Sequence, residues 1–306
     1  MTKTAFMFPG QGSMEAGMGR EIAEAVPEAM AVFDAAAEAA QMDLKALCFE
    51  RPVEDLVDTE VQQPALVTTS LAIDAALRVR GVTPSVVVGH SVGEYSALGS
   101  IGTLTVRDAV ALVRERGSAM AEAAKAHPGS MAAILGLADE AVEALCQKIS
   151  NVWPANYNCP GQLVISGETP SVDEAIDEAT REGARRAIKL RVSGAFHSPL
   201  VARASERLRP AVERVHLGQG KAAFMSTVTA RVEDAQRYRD LLVEQLTAPV
   251  KFTQAARALI ADGVTTFVEV GPGNVLGGLL KRIDKSVRTF SVSDMKSLDE
   301  VTEALG

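Results

Sequence analysis

The chain has 306 residues, 47% of them hydrophobic and 23% charged, which is typical of a folded α/β protein that needs no disulfide or metal for stability. Thirty-nine acidic residues against thirty-one basic ones give a net charge of −8. Because nucleic acids and anionic membranes are bound through positive charge, this balance argues against both as partners.

In chain order, the patterns of apolar residues predict alternating strands and helices. The predicted core elements are a strand at 5–8, a helix beginning near Glu15, a helix over 63–80, a strand at 86–88, a helix over 105–125, a strand over 264–270 and a last long helical segment after the turn at 271–273. Gly81 and Pro84 follow the second helix and favour its termination there. Strands alternating with helices indicate a mainly parallel α/β sheet.

Residues 128–195 depart from this rhythm and predict an inserted subdomain. The predicted elements are a strand at 131–137, a helix at 139–150, strands at 152–157 and 162–166, a helix at 170–182 and a strand at 185–191. This β-α-β-β-α-β order is the ferredoxin-like unit. We therefore expect a core made of 1–127 and 196–306, interrupted by a ferredoxin-like insertion at 128–195.

Nothing in the sequence suggests a membrane span or a targeting segment. No apolar run approaches the length of a transmembrane helix, and the apolar run before Pro9 is too short for a signal peptide. The three cysteines show no C-x-x-C spacing, which argues against zinc and iron–sulfur sites. We expect a cytoplasmic protein in a reducing compartment.

Residues 89–93 read Gly-His-Ser-Val-Gly and follow a predicted strand directly. A G-x-S-x-G sequence between a strand and a helix is typical of a nucleophile elbow, in which a sharp turn exposes the serine hydroxyl. Ser91 is therefore a candidate nucleophile, and the N–H of Val92 would face a developing oxyanion. The alternative is a serine in an ordinary strand–helix turn.

A serine nucleophile needs a base, and the chain has four histidines. His127 and His216 lie in turn-like or charged, glycine-rich surroundings, and His90 is adjacent to Ser91, where packing is the simpler role. His197 precedes Ser198-Pro199, a good helix N-cap, so it should lie where a connection meets a helix. We expect His197 to be the base for Ser91.

Arg116 falls within the helix predicted over 105–125. It lies three residues after Val113 and four before Met120, and so on or beside the apolar face of that helix. An inward-facing arginine is costly unless an anion pairs with it. The anion could be a substrate carboxylate or, alternatively, an internal aspartate or glutamate.

Several motifs in order make the family resemblance specific. They are FPGQGS at 8–13, GHSVGEYSAL at 89–98, Arg116, ANYNCPGQLVISG at 155–167, GAFHSPL at 194–200 and VGPG at 270–273. Together they span nearly the whole chain and resemble the malonyl-CoA:acyl-carrier-protein transacylases. The resemblance implies an α/β-hydrolase-like core with a ferredoxin-like insertion, in agreement with the pattern read from the residues.

By this resemblance, Ser91 is the nucleophile and His197 the general base. Gln11 matches the glutamine on the oxyanion side and would act with the N–H of Val92; a loop-capping amide is the alternative. Arg116 matches the arginine that holds the malonyl carboxylate, since a guanidinium pairs with a carboxylate through two parallel hydrogen bonds.

The resemblance also implies supporting residues. The family orients its histidine with a main-chain carbonyl near the position of Gln245, for which a polar residue at a helix end is the alternative. His90 and Asn156 are expected to line the cleft. No metal or bound redox cofactor is implied.

The implied reaction moves a malonyl group from malonyl-CoA to the phosphopantetheine thiol of acyl carrier protein, through a malonyl-Ser91 ester and with ping-pong kinetics, to supply fatty acid synthesis. A polyketide or malonate-decarboxylase transacylase would carry the same residues. A serine hydrolase or thioesterase would share the elbow but has no use for an inward arginine. A catalytically inactive carrier-binding module is a further alternative.

Acyl carrier proteins are acidic, so docking on an acidic chain calls for a local basic patch. The candidates are Arg185, Arg186, Lys189 and Arg191 on the insertion. Alternating charges are also typical of an exposed strand face, which is the competing interpretation.

Overall fold

The computed structural model describes residues 3–306 and shows alternating strands and helices. The strands are β1 (Lys3–Phe8), β2 (Val86–Gly89), β3 (Ser130–Leu135), β4 (Val152–Cys159), β5 (Gln162–Gly167), β6 (Arg186–Lys189), β7 (Ala223–Ser226), β8 (Arg231–Glu233), β9 (Val264–Val270) and β10 (Arg288–Val292). The helices are α1 (Arg20–Ala25), α2 (Pro27–Ala40), α3 (Thr59–Val79), α4 (Gly93–Ser100), α5 (Val106–Ala126), α6 (Asp139–Lys148), α7 (Thr169–Arg181), α8 (Ala202–Arg214), α9 (Tyr238–Glu244), α10 (Phe252–Ala261), α11 (Val275–Ile283) and α12 (Met295–Leu305). Within residues 3–306, no helix has both the length and the apolar character needed to cross a bilayer.

Six strands form the core sheet in the order β10-β9-β1-β2-β7-β8. All neighbours are parallel except β7 and β8, which are antiparallel. The strands β1 and β2 lie at the centre, and all of β2 and all but the first residue of β1 are buried. Helices cover both faces of such a sheet, which explains why these strands read as continuous apolar runs.

The second sheet is antiparallel, with the strand order β4-β5-β3-β6. It is built from the predicted β-α-β-β-α-β succession, with α6 after β3 and α7 after β5. Apolar residues of both helices, such as Val142 and Val172, pack with Ile134 and Ile165 of the sheet in a separate hydrophobic cluster. The predicted insertion therefore has a core of its own.

A short backbone pairing ties the second sheet to the core. The N–H of Tyr157 donates to the carbonyl of Val250 at 2.8 Å, and the N–H of Val250 donates to the carbonyl of Ala155 at 2.8 Å. The Thr253 hydroxyl donates to the Tyr157 carbonyl at 3.1 Å. These bonds fix β4 beside the start of α10, so that side chains of the insertion can face the end of β2.

Two predicted elements differ from the structure. The first helix begins at Arg20 and not near Glu15, because Gly17 and Gly19 take left-handed φ angles of 72° and 74° that cannot continue a helix. The last segment is not one long helix, since β10 separates α11 from α12. Residues 288–292 pair with β9 at the edge of the core sheet, and their Thr, Phe and Val residues favour a strand.

Candidate active site

Ser91 lies in the turn that joins β2 to α4. Its φ angle of 53° is left-handed, which is unfavourable for a residue with a side chain and is typical of a strained nucleophile turn. The turn is possible only because its flanks lack side chains. A Cβ atom on Gly89 would lie 2.1 Å from the nitrogen of Glu94, and one on Gly93 would lie 2.2 Å from the carbonyl oxygen of Phe8. Gly89 thus lets the turn close on the start of α4, and Gly93 lets the elbow lie directly against β1.

His197 faces Ser91 from the connection that follows the insertion. Its Nε2 lies 2.9 Å from the hydroxyl of Ser91. Its Nδ1 lies 2.8 Å from the carbonyl oxygen of Gln245 and 3.1 Å from that of Ala248. Because carbonyl oxygens only accept, Nδ1 carries the proton, and Nε2 is left to accept the serine proton.

The electrostatic surroundings keep His197 neutral. Burial, the charge of Arg116 and the nearby His90 lower the pKa of His197 to about 3, against the opposing effect of the two carbonyl acceptors. A neutral imidazole is the form that removes a proton. The predicted connection-to-helix position is also confirmed, since the Ser198 hydroxyl caps the short 3₁₀ turn Pro199–Val201 by accepting from the N–H of Leu200.

Arg116 is buried beside the serine, with 1% of its surface exposed. Its Nη2 donates to the Ser91 hydroxyl at 3.1 Å and to Oε1 of Gln245 at 3.0 Å, and its Nη1 donates to Oε1 of Gln63 at 2.8 Å. In residues 3–306, no carboxylate forms an ion pair with it at 4.0 Å or less, so the alternative of an internal salt bridge is not what the structure has. Two neutral amides therefore hold a cation next to the candidate nucleophile.

Gln63 and Glu94 are the residues that sequence reasoning missed. Gln63 is fully buried on α3, where a polar residue carries no periodic signal. Glu94 belongs to the GHSVGE motif, but a glutamate in the first turn of a helix reads as an ordinary solvent-facing residue. In the structure Glu94 is fully buried, and Oε2 accepts from Nε2 of Gln245 at 2.9 Å.

Ser91 and His197 face a cavity of about 100 Å³ between the core and the second sheet. Its lining residues are Gln11, His90, Ser91, Met120, Met131, Asn156, Leu190, Val192, Phe196 and His197. A neighbouring chamber of about 200 Å³ shares Gln11, His90, Asn156 and Leu190 with it. His90 and Asn156, the expected cleft-lining residues, both lie in the wall of the first cavity, whereas Arg116 does not line it and contacts Ser91 beside it.

Comparison with known proteins identifies the family. The profile of the acyl transferase domain family matches residues 5–301. The chain belongs to this acyltransferase family. It is 44% identical over 310 residues to the malonyl CoA-acyl carrier protein transacylase of Bacillus subtilis, covering 100% of this chain and 98% of that protein.

Solved structures of acyltransferases have the same fold. The malonyl-CoA:acyl carrier protein transacylase of Xanthomonas oryzae superposes with a TM-score of 0.96 at 40% identity, covering 100% of this chain and 99% of that one. A malonyl-transacylase solved in complex with a type II polyketide acyl-carrier protein superposes with a TM-score of 0.95 at 37% identity, covering 99% and 100%. The mixed fold, with one largely parallel and one antiparallel sheet, is thus shared with these acyltransferases.

Two of the predicted residues that line the cavity, Gln11 and His90, have side-chain partners. Nε2 of Gln11 donates to the hydroxyl of Thr59 at 3.2 Å, and Nε2 of His90 lies 2.9 Å from Oδ1 of Asn158. Within the described chain, the N–H of Val92 makes no hydrogen bond to another residue. That N–H, at the start of α4, is free to bind an oxyanion.

Proposed function

We propose that this protein transfers a malonyl group from malonyl-CoA to the phosphopantetheine thiol of acyl carrier protein, for fatty acid synthesis. The observation that carries the proposal is the guanidinium of Arg116, 3.1 Å from the Ser91 hydroxyl and without a carboxylate partner in residues 3–306. A buried cation at this place matches an acyl group that ends in a carboxylate. The names of the relatives support the same substrate.

The first half-reaction forms an ester on Ser91. His197 accepts the serine proton at Nε2, and Oγ forms a bond to the thioester carbonyl carbon. The N–H of Val92, with donors around Gln11, stabilises the negative charge that develops on the carbonyl oxygen. The carbon–sulfur bond then breaks, and the departing sulfur of coenzyme A takes the proton from His197.

The second half-reaction reverses these steps with another thiol. The carrier thiol gives its proton to His197, its sulfur bonds to the ester carbonyl carbon, and Ser91 leaves and recovers the proton. Between the two halves, Arg116 holds the malonyl carboxylate. Because both thiols use one site in turn, we expect ping-pong kinetics with parallel initial-velocity lines.

The proposal also covers the fold classes of the two parts of the chain, the need for cofactors and the cellular compartment. We assign the core, 1–127 and 196–306, to the α/β-hydrolase-like class and the insertion, 128–195, to the ferredoxin-like class; the strand order of each sheet supports this. The reaction balances with no metal or redox cofactor. The three cysteines are free and buried, which agrees with a reducing, cytoplasmic compartment.

A second candidate function is malonyl transfer to a polyketide carrier protein. It is favoured by the similarity to the malonyl-transacylase that was solved with such a carrier. Both functions share the first half-reaction, so they differ only in the acceptor. Rates of transfer to a fatty-acid and a polyketide carrier protein would separate them.

The test of the proposed function is the covalent intermediate. The protein is incubated with malonyl-CoA alone, quenched with acid and examined by intact-protein mass spectrometry. We expect a gain of one malonyl group that is absent in Ser91→Ala. Release of malonate with no trapped ester would instead indicate a hydrolase, and folded protein with neither ester nor malonate would exclude malonyl-CoA as the donor.

A further inference from the structure

Glu94 lies behind the catalytic residues and touches none of the reacting atoms. We propose that Glu94 is a positioning residue that fixes the orientation of the Gln245 side-chain amide, and through it the malonyl-binding arginine. The inference rests on the proposed function, because it concerns how the same site selects its acyl group. It is carried by the hydrogen bonds around the Glu94 carboxylate.

Every group that contacts the Glu94 carboxylate offers it a proton. Oε1 accepts from the N–H of Thr227 at 2.7 Å, from the Thr227 hydroxyl at 2.9 Å and from the Ser226 hydroxyl at 3.1 Å. Oε2 accepts from Nε2 of Gln245 at 2.9 Å. Four donors around two oxygens match an ionised carboxylate, which can only accept.

This pattern determines which end of the Gln245 amide faces which neighbour. A side-chain amide has one accepting end and one donating end. Because Glu94 takes the donating end, Oε1 of Gln245 is presented to Nη2 of Arg116, at 3.0 Å. The reverse orientation would set two donors against each other at Arg116 and two acceptors against each other at Glu94, so it is excluded while Glu94 is ionised.

The arrangement also compensates the buried charge of Arg116 without an ion pair. Burial lowers the pKa of Arg116, and Tyr95 and the negative charge of Glu94, which acts across the Gln245 amide, oppose this lowering. A carboxylate in direct contact would occupy the donors that a malonyl group needs. The Gln245 amide between the two charges lets Glu94 stabilise the buried guanidinium, and it leaves Arg116 able to bind the carboxylate of a malonyl group.

The isosteric variant Glu94→Gln tests this relay. The three donors on the Oε1 side would hold the oxygen of the new amide, which turns its NH₂ toward Gln245. Gln245 must then rotate to accept from it, and its own NH₂ meets the guanidinium of Arg116. We expect the preference for malonyl-CoA over acetyl-CoA, measured as the ratio of kcat/KM for acylation of Ser91, to fall by about 10- to 100-fold.

Glu269→Gln is the matched control. Glu269 is also a fully buried glutamate, and its carboxylate accepts from the N–H groups of Leu276 and Gly277 at 3.0 and 2.8 Å. It makes no contact with Gln245. Loss of this buried charge should lower the melting temperature but leave the malonyl-to-acetyl ratio at the wild-type value, because the arginine keeps its acceptor.

A second variant covers the case in which Glu94→Gln fails to fold. Glu94→Asp keeps the charge but shortens the side chain by one methylene, so that it cannot reach both Thr227 and Gln245. We expect a smaller fall in the ratio, without a change in the far-ultraviolet circular dichroism spectrum. A wild-type ratio in a folded Glu94 variant overturns the positioning role, and so does an equal fall in Glu269→Gln. A wild-type protein that forms no malonyl ester overturns the proposed function instead.

Discussion

The main-chain carbonyl oxygen of Gln245 lies 2.8 Å from Nδ1 of His197. In many serine enzymes a carboxylate takes this place and fixes the histidine tautomer. Here a carbonyl does so without adding a negative charge near Arg116, the proposed partner of a malonyl carboxylate. Since the contact is made by the main chain, the side chain of Gln245 is free to serve Arg116.

The dependence of the Ser91 acylation rate on pH tests the assignment of His197 as the base. Burial and the charge of Arg116 lower the pKa of His197 to about 3, so the imidazole stays neutral as the pH falls from about 8 to about 5. We therefore expect His197 to cause no loss of the Ser91 acylation rate across this range. Rapid acid quench at a series of pH values, followed by intact-protein mass spectrometry, gives these rates.

Glu94 titrates in the same pH range and must be distinguished from His197. Burial raises the pKa of Glu94 to about 7, against the hydrogen bonds from Thr227 and Ser226 and the charge of Arg116. A fall in rate near pH 7 that disappears in Glu94→Gln therefore belongs to the glutamate. A fall near pH 6.5 that persists in that variant would contradict the low pKa of His197.

Removal of the guanidinium should change the acyl preference. In Arg116→Ala we expect kcat/KM for malonyl-CoA to fall by about 10²- to 10³-fold, and that for acetyl-CoA to fall much less, because only malonyl has a carboxylate to lose a partner. Acylation of Ser91 by the two thioesters measures both constants. Arg116→Lys keeps the charge but cannot bond Gln63 and Gln245 at once. Its kcat/KM for malonyl-CoA should therefore lie between those of the wild type and Arg116→Ala. Equal losses for both thioesters would argue against carboxylate binding.

The glycine elbow makes a prediction about stability. In Gly93→Ala the new methyl group would lie 2.2 Å from the carbonyl oxygen of Phe8, which is backbone of the central strand and cannot move aside. We expect a loss of about 3 kcal/mol or more in the free energy of unfolding, measured by urea denaturation. The exposed helical Gly278 is the control. A methyl group there meets no atom within 4 Å, so Gly278→Ala should gain about 0.5–1 kcal/mol. Similar effects of the two changes would contradict the close approach.

The basic residues of the insertion do not share one face. Lys189 forms an ion pair with Asp173 of α7 at 2.6 Å, on the helical side of the second sheet. Strand alternation turns Arg186 to the opposite side, the side on which Leu190 lines the cavity. Arg186 is therefore the better candidate for contact with an acidic carrier protein.

Charge reversal tests this docking prediction. We expect Arg186→Glu to slow malonyl transfer to acyl carrier protein by about ten-fold at low salt, with a smaller effect at high salt. Lys189→Glu should have less effect, and transfer to free pantetheine should stay unchanged in both. The first half-reaction with malonyl-CoA is measured in parallel, because coenzyme A is also an anion. An unaltered rate in Arg186→Glu would leave these residues as an ordinary exposed strand face.

Local signals in the sequence were sufficient for much of the fold. The strand over 264–270 is found at its predicted bounds, and the order of the six elements of the insertion is confirmed. A short apolar run or a helical period is a property of neighbouring residues, so it survives in the folded chain. The edge strand β10 was not predicted, although Thr289, Phe290 and Val292 favour a strand, because its five residues lie between two helical patterns that read as one segment.

The features of the site also divide into those that local sequence predicts and those that tertiary packing decides. The sequence by itself determined the elbow at Ser91, the capped turn after His197 and the inward face of Arg116, because each depends on residues within one or two turns of the chain. Only the tertiary structure decided that Ser91 and His197, 106 positions apart, lie 2.9 Å from each other. It also decided that Gln245 joins His197, Arg116 and the buried Glu94. Buried polar residues follow no period of their own, and their partners become neighbours only when the two sheets and their helices pack together.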